Sequence, residues 1–349
     1  MNLPKLLAFA GLTAAIATQQ TSADVIVTIV GGNATRAIQF DRAAALLSGE
    51  TVVNGPNSNV RSFVNGTLPN RPSLGNITIH FRLDGATLGL QQLRDQVSVT
   101  TATGITQRPL LAVSGAYPET VGIDGSIFTA RRTLVIPFGY VKNDALTNSI
   151  HGVTNLTQRQ AALLQATAGT LPTAFYGGES TTAPLYLIGR DTGAAVRQVI
   201  DANIYFTGSP SFFTTNAAPK PALPPIASIG HDGGGKVVSD LLVIPNALGT
   251  LAASDFGSFT PIAFEGFLPT RENVIKGKYP IWGYESWYTK TSGLGQLDIA
   301  QLTVLNDLYN AVTDPTFQTT SPLFSTLVPL SLLEVERTAD GGPITSTLY

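Results

Sequence analysis

Four short segments of this chain combine glycines, hydroxyl side chains and one arginine, and such groups can together hold a small anion. The segments are Gly31–Thr35, Gly85–Thr87, Ser114 and Arg190–Gly193. Tight turns and helix starts present free backbone N–H groups, and the positive end of a helix dipole adds to their field. One guanidinium supplies a full positive charge and a bidentate grip. The predicted chemistry is therefore non-covalent capture of a tetrahedral oxyanion by neutral donors and one arginine.

Taken alone, each of these segments is best interpreted as an ordinary turn between a strand and a helix, because most such turns bind nothing. The prediction therefore depends on a fold that brings the four segments together. The sequence indicates no catalytic residue, no metal ligand and no cofactor, since it contains neither a Gly-x-Ser-x-Gly elbow nor a His-Glu-x-x-His motif. The candidate ligand-binding residues are Gly32, Asn33, Ala34, Thr35, Gly85, Ala86, Thr87, Ser114, Arg190, Thr192 and Gly193.

The elements around these segments predict a layered α/β fold. Each segment follows an apolar run typical of a strand, and most precede a run typical of a helix. Alternating strands and helices favour a mostly parallel sheet, in which ligands bind beyond the carboxyl ends of the strands. The predicted elements are strand Asp24–Val30 with helix Arg36–Leu47, strand Asn76–Phe81 with helix Leu90–Val97, strand Pro109–Val113, and strand Ala183–Ile188 with helix Ala194–Ala202.

Three further regions are predicted to frame this site. The segment Ser48–Ser73 is rich in Gly, Asn, Pro and Ser and is interpreted as a surface loop. The extended run Arg132–Val141 contains Pro137, which indicates an edge or crossing strand. A further helix is predicted to follow an N-cap at Thr154 or Asn155.

The first 23 residues have the pattern of a secretory signal peptide. Lys5 provides a positive start, Leu6–Ala17 is apolar, and small residues precede the expected mature start near Asp24. We therefore expect the protein in the periplasm or outside the cell. With no cysteine in 349 residues, no disulfide can staple the fold, so stability must come from a hydrophobic core. A net charge of -2 argues against nucleic acid or anionic lipid as the main partner.

The segment Gly230–Lys236 has the spacing of a phosphate-binding P-loop up to its lysine. The next residue is Val237, so the hydroxyl that would bind Mg²⁺ is missing. A glycine-rich turn at a helix start, lining the cleft in the second half of the chain, is the favoured interpretation over a nucleotide site.

Aromatic residues and histidines leave two other interpretations open. Trp282, Tyr284, Trp287 and Tyr288 could form a carbohydrate platform, although their alternation favours core packing and a cleft wall. The three histidines lack metal-ligand spacing, which favours surface or hydrogen-bonded roles for them. They are His80, His151 and His231.

The order and spacing of five segments resemble the phosphate-binding, solute-binding proteins of bacterial ABC transporters, and more closely a divergent, phosphate-binding-like group among them. The segments are Val27–Arg36, Asp84–Gly89, Leu111–Tyr117, Leu185–Val196 and Phe264–Tyr288, and they span nearly the whole chain after residue 23. The resemblance implies an α/β, two-lobed periplasmic-binding-protein fold of type 2. Such a fold has mixed sheets flanked by helices and a ligand cleft between the lobes.

The same resemblance implies domain limits and partners. Lobe 1 would comprise residues 24–136 plus 248–349, and lobe 2 would comprise residues 137–247. Two strands would cross between the lobes, near Pro137–Val141 and Leu248–Ala252. The protein would be a monomer without enzymatic activity, it would bind inorganic phosphate or a similar oxyanion, and an ABC permease in the membrane would be its partner. No nucleic acid partner is expected.

Two positions depart from the family pattern. Gly115 stands where members usually have an aspartate that accepts a hydrogen bond from a protonated oxyanion, and Ala194 stands where they have a threonine. Asp191 could also neutralise its neighbour Arg190. These departures leave open a different oxyanion, or a structural envelope protein that kept the fold without ligand transport. A secreted enzyme is the third alternative.

Overall fold

The structure, a computed structural model, describes residues 24–146, 148–215 and 225–347. The predicted signal peptide, residues 1–23, lies outside this part of the chain. Within the described residues no helix is long and apolar enough to cross a membrane. The strands are β1 (Val25–Gly31), β2 (Thr51–Asn54), β3 (Val60–Gly66), β4 (Ile77–Arg82), β5 (Val99–Thr100), β6 (Thr106–Gln107), β7 (Leu111–Ser114), β8 (Phe128–Lys142), β9 (Asn155–Leu156), β10 (Tyr186–Ile188), β11 (Phe212–Thr214), β12 (Ile226–Ser228), β13 (Ala247–Ala252), β14 (Thr260–Pro261), β15 (Ala263–Phe264), β16 (Trp282–Lys290), β17 (Val328–Pro329), β18 (Val335–Glu336) and β19 (Thr345–Ser346). The α-helices are α1 (Arg36–Leu46), α2 (Ala86–Asp95), α3 (Gln158–Thr167), α4 (Ala195–Asn203), α5 (Gly234–Leu241), α6 (Arg271–Ile275), α7 (Ile299–Thr313) and α8 (Pro315–Thr320).

A mixed sheet organises the molecule, with the strand order β10-β13-β8-β16-β7-β1-β4-β3-β2. β1 pairs in parallel with β4 and β7, whereas β16 is antiparallel to both β7 and β8. β1 is a β-branched run whose side chains are almost all buried, as expected for a strand covered on both faces. The parallel strands bring the carboxyl ends of β1, β4 and β7 to one edge, where the first three predicted corners lie.

The 15-residue strand β8 joins the two halves of this sheet. It pairs with β16 as far as Pro137, which lies opposite Trp282, and with β13 from Phe138 onward, which lies opposite Ala252. Pro137 lacks an N–H group, so it is tolerated where the strand changes partners. The sequence predicted an edge or crossing strand here; β8 is paired on both sides, so the edge alternative is wrong, and a crossing between lobes depends on the lobe division. The division of the chain into lobes at residues 136/137 and 247/248 stays a prediction.

The core contains the aromatic segment for which the sequence left two interpretations open. Trp282, Tyr284, Trp287 and Tyr288 are all less than 5 % exposed. Trp282 and Tyr284 pack edge to face with ring centroids 5.2 Å apart. The interpretation as core is therefore confirmed, and the interpretation as an exposed carbohydrate platform is wrong, because no face of these rings is open to a sugar.

Two sequence predictions about local structure are wrong. The segment Ser48–Ser73 contains the antiparallel hairpin β2–β3 and not only a loop; Val60, Ser62 and Phe63 of β3 are buried. The helix after residue 154 is α3, and its N-cap is Thr157, whose hydroxyl accepts a hydrogen bond from the N–H of Gln160. Asn155–Leu156 instead pairs with β15.

Candidate anion-binding site

Three helices, α1, α2 and α4, begin around one small cavity of about 30 Å³. This volume has room for roughly two water molecules or one small ion. Because β1 and β4 are parallel neighbours, the turns that follow them bring α1 and α2 to the cavity from one side, and α4 follows β10 on the other side. The lining residues are Gly32, Asn33, Ala34, Gly85, Ala86, Gly115, Ile136, Phe138, Arg190, Ala194, Ala195, Val196, Ala252, Asp255 and Glu285.

The helices that begin at this cavity have no side-chain cap. In the described residues, α1, α2 and α4 have no side-chain hydrogen bond to their first N–H groups and no acidic residue in their first turn. Four helices elsewhere have such caps, from Thr157, Thr270, Asp298 and Asp314. Some of the first N–H groups, among them those of Arg36 and Thr87, donate to backbone carbonyl oxygens. The N–H groups of Asn33, Ala86 and Ala195 make no such bond in the described residues, so they and the three dipoles are available to an anion in the cavity. Helix α5 is also uncapped and begins at the adjacent, wider groove.

Arg190 brings the positive charge of this cavity from the end of β10. The residue is only 5 % exposed. Its Nε donates to the carbonyl oxygen of His231 at 3.0 Å, and its Nη2 donates to that of Asp232 at 2.9 Å. Burial lowers the pKa of the guanidinium, and the nearby charges of Asp191, Asp255 and Asp232 counteract that shift. The two bonds occupy only part of the donor set of an arginine, so N–H groups remain for a ligand.

Glu285 of β16 lies on the opposite wall of the cavity and is 2 % exposed. Thr35 Oγ1 donates to one carboxyl oxygen, while Gln39 Nε2 and Thr133 Oγ1 donate to the other at 3.1 and 3.2 Å. Burial raises the pKa of Glu285 to about 7, and these hydrogen bonds limit the rise. Near neutral pH the carboxyl group is therefore only partly ionised, which reduces its repulsion of an anion.

Asp255 also lines the cavity, after the end of β13. Its side chain is partly buried, and in the described residues it makes no hydrogen bond or ion pair. Burial raises the pKa of Asp255, whereas the charges of Arg36 and Arg190 lower it. Arg190 thus shares the cavity lining with two acids, so the cavity depends on neutral N–H donors more than on excess positive charge.

The structure places six of the eleven sequence-predicted residues in the lining of the cavity and five outside it. Those in the lining are Gly32, Asn33, Ala34, Gly85, Ala86 and Arg190. The five outside are Thr35, Thr87, Ser114, Thr192 and Gly193.

Among those five residues, the hydroxyl groups of Thr35, Ser114 and Thr192 are turned to protein partners or to solvent, whereas the hydroxyl of Thr87 is buried and has no hydrogen-bond partner in the described residues. Thr35 is bonded to Glu285. Ser114 Oγ donates to the carbonyl oxygen of Ala116 at 2.8 Å and accepts from the same residue's N–H at 3.2 Å. Thr192 is exposed. The first three hydroxyls therefore shape the walls of the cavity and do not point into it.

Thr87 and Gly193 join the two sides of the cleft. The N–H of Thr87 donates to the carbonyl oxygen of Gly193 at 3.1 Å. Gly85 lies so close that a Cβ atom on it would be 2.8 Å from the same oxygen. Glycine at 85 is thus required by the close approach of the two backbones, and these residues hold the cleft closed.

Sequence reasoning missed the two acids of the cavity, Asp255 and Glu285. Glu285 interrupts an otherwise apolar and aromatic run, and a buried acid in such a run is a signal that could have identified it. Asp255 carries no comparable signal. The two departures from the family pattern, Gly115 and Ala194, both line the cavity, so they bear directly on the ligand.

The cavity lining contains none of the three histidines. The ring of His80 is buried, its Nδ1 lies 2.7 Å from Ser62 Oγ, and burial lowers its pKa to about 4. His151 is exposed beside Asp144. In residues 24–146, 148–215 and 225–347, no group of three or more His, Asp or Glu side chains is placed to hold a metal ion.

A cleft formed by helix starts at the carboxyl edge of a mixed sheet, with one long strand between its two halves, matches the fold of solved phosphate-binding proteins. A candidate phosphate ABC transporter substrate-binding protein from Clostridium perfringens, solved with bound phosphate, has a TM-score of 0.56 at 13% identity, and the match covers 87% of this chain and 99% of that one. An ABC-type phosphate transport receptor from Vibrio cholerae has a TM-score of 0.52 at 13% identity, covering 84% of this chain and 97% of that one.

Sequence comparison gives a shorter match. The phosphate-binding protein PstS of Bacillus subtilis is 29% identical over 121 residues, which is 34% of this chain and 37% of that protein. The match thus spans little more than a third of the length of that relative. No family model matches the chain. The likeness to solved structures establishes the fold, and the predicted two-lobed α/β periplasmic-binding-protein fold, similar to that of phosphate-binding proteins of ABC transporters, is confirmed.

Proposed function

We propose that this protein is an extracytoplasmic solute-binding protein that captures inorganic phosphate or a related tetrahedral oxyanion. The observation that carries the proposal is the convergence of three uncapped helix starts and the buried Arg190 on one ion-sized cavity. Bound phosphate in the solved relative from Clostridium perfringens supports the same ligand class. The secretory pattern of residues 1–23 supports a location outside the cytoplasm.

Capture in this account makes and breaks no covalent bond. Backbone N–H groups at the starts of α1, α2 and α4, those of Asn33, Ala86 and Ala195, donate to the oxyanion, and Arg190 adds its remaining N–H groups. The contact between Thr87 and Gly193 closes the cleft, and release requires a hinge motion that separates them. A monomer of this kind would deliver its ligand to an ABC permease in the membrane.

A structural envelope protein that kept the fold without transport is the second candidate. Two observations favour it: Asp255 and Glu285 add negative charge to the cavity, and the hydroxyls of Thr35 and Ser114 are bonded within the protein. On this alternative, the cleft would hold no oxyanion at any accessible concentration.

Isothermal titration of the mature chain with phosphate, sulfate and arsenate separates the two candidates. The proposal predicts saturable heat with at least one of these anions and its loss in Arg190→Ala. Arg94→Ala is the matched control, because Arg94 is exposed and pairs only with its neighbour Asp95. Absence of heat with all three anions, or an Arg190→Ala variant that binds as the parent does, would contradict the proposal.

A further inference from the structure

The glycine-rich segment Gly230–Lys236, here called the glycine loop, lies behind Arg190. Lys236 is exposed and pairs with Asp232 of the same loop at 2.8 Å, so its ammonium group is already engaged. The loop instead presents backbone carbonyl oxygens to the guanidinium of Arg190. The contact of the glycine loop with Arg190 is therefore the feature that links the loop to the cavity.

The glycine loop extends the end of β10 as a short parallel bridge between Arg190 and His231. The N–H of His231 donates to the carbonyl oxygen of Gly189, and the N–H of Asp191 donates to that of His231, both at 2.9 Å. The carbonyl oxygen of His231 thus receives bonds from the backbone and from the side chain of the same strand end. Any shift of this peptide group would move the guanidinium.

Gly230 makes this approach possible. Its φ is +98°, and a Cβ atom there would lie 2.5 Å from the carbonyl carbon and oxygen of Arg190. Both the backbone angle and the contact require glycine at this position.

The imidazole of His231 fixes the glycine loop to helix α5. Its Nε2 lies 2.7 Å from Oδ2 of Asp240, which is 5 % exposed. Thr215 Oγ1 donates to the other oxygen of Asp240 at 2.8 Å and holds the carboxylate in place. A chain of contacts therefore runs from α5 through Asp240 and His231 to Arg190 at the cavity.

We propose that His231, anchored by Asp240, is a positioning residue for oxyanion binding: it holds the two carbonyl groups that aim Arg190 into the cavity. This inference rests on the proposed function, because it assigns His231 a part in the affinity for the oxyanion. The glycine loop is then a support for the binding arginine, and its likeness to a P-loop is one of spacing only.

Two measurements on His231→Ala test the inference. The first is the hydrogen exchange of the Arg190 Nε–H by NMR in the ligand-free protein, which reports whether this group is still held. The second is phosphate titration by calorimetry. We expect faster Nε–H exchange and about tenfold weaker phosphate binding, a usual size for coupled neighbours. His231→Gln, which keeps an N–H near the carboxylate of Asp240, should restore both, and His151→Ala should change neither.

The outcomes distinguish this inference from the proposed function. Unchanged Nε–H exchange and unchanged phosphate affinity in His231→Ala overturn the inference while phosphate binding by the parent protein stands. Faster exchange in a protein that binds no oxyanion overturns both, because the arginine is then held for another purpose. If His231→Ala fails to fold, Asp240→Asn removes the charge of the anchor and is expected to change both readouts in the same direction.

Discussion

The backbone N–H of Thr87 donates a hydrogen bond to the carbonyl oxygen of Gly193 across the cleft, at a distance of 3.1 Å. The two residues belong to opposite predicted lobes, and the bond lies beside the cavity at which α2 and α4 begin. We therefore interpret the structure as a closed form of the proposed binding protein. In the proposed function, entry and exit of the ligand require this contact to open, which ties binding to a hinge motion.

Gly85→Ala should weaken phosphate binding by preventing full closure. The added Cβ atom would be 2.8 Å from the carbonyl oxygen of Gly193, and φ at this residue is 168°, so backbone strain does not contribute. Overpacking of this kind costs about 1–3 kcal/mol, which corresponds to roughly tenfold or more in affinity. Calorimetric titration measures the loss; an affinity equal to that of the parent would show that closure does not depend on this contact.

The buried carboxyl of Glu285 should make stability depend on pH. Its folded pKa is about 7, above its ordinary value of 4.5. As pH rises past 4.5 the unfolded chain loses this proton while the folded protein keeps it. Stability from this group is therefore greatest below about pH 4.5 and falls until about pH 7, by on the order of 3 kcal/mol.

Glu285→Gln isolates that contribution. The amide cannot ionise, and Thr35 can rotate its hydroxyl to accept from it. Urea unfolding at pH 5, 6, 7 and 8 should show a smaller decline in the free energy of unfolding for the variant than for the parent. Parallel pH profiles of the two proteins would mean that Glu285 titrates normally in the folded state.

Gly115→Asp introduces the aspartate that is usual in the phosphate-binding proteins this chain resembles, but it should not improve phosphate binding. A Cβ atom on Gly115 would lie 3.3 Å from Ala195 Cβ and from Ile136 Cδ1, which is tighter than ordinary contact, and the carboxylate would add a third acid to a cavity already lined by Asp255 and Glu285. Gly115→Asp is expected to destabilise the fold by about 1–3 kcal/mol and to weaken phosphate binding. Gly115→Ala is the control for the added methyl group. Tighter phosphate binding by Gly115→Asp would contradict the described cavity shape.

Ala194→Ser should stabilise the ligand-free protein. Ala194 is the N-cap of α4, with extended backbone angles and no side-chain hydrogen bond to the helix. A serine at an N-cap accepts from the second or third N–H of the helix and contributes about 1 kcal/mol. Denaturant unfolding measures the gain. Ala195→Ser, one residue inside the helix, cannot cap it and should show none; equal effects of the two serines would rule out capping as the cause.

Local signals were enough to predict the turns that lie at the site, whereas Pro137 indicated only an edge or crossing strand. The turns after β1 and β4 carry glycine at the end of a β-branched or alternating run, and Pro137 marks the residue where β8 leaves β16 for β13. The hairpin β2–β3 was missed because glycine and polar residues around it suggest a loop, whereas β3 pairs with β4 and buries Val60 and Phe63.

The sequence did not predict which side chains near the cavity point into it. Thr35 stands in a turn where its hydroxyl could serve a ligand, yet it is bonded to Glu285, 250 residues further along the chain. Asp255 reaches the cavity because β13 ends there, and the position of that end depends on the register of β13 with β8. Such contacts arise from tertiary packing, which composition and spacing do not encode.

Amide chemical shifts during a phosphate titration of the mature protein test the central claim most directly. If the three uncapped helix starts receive the oxyanion, the N–H signals of Asn33, Ala86 and Ala195 should move together with one binding constant. The N–H of Gln301, which Asp298 already caps at 2.7 Å, should stay in place. Saturable shifts confined to other parts of the chain, or none at the three helix starts, would contradict the account.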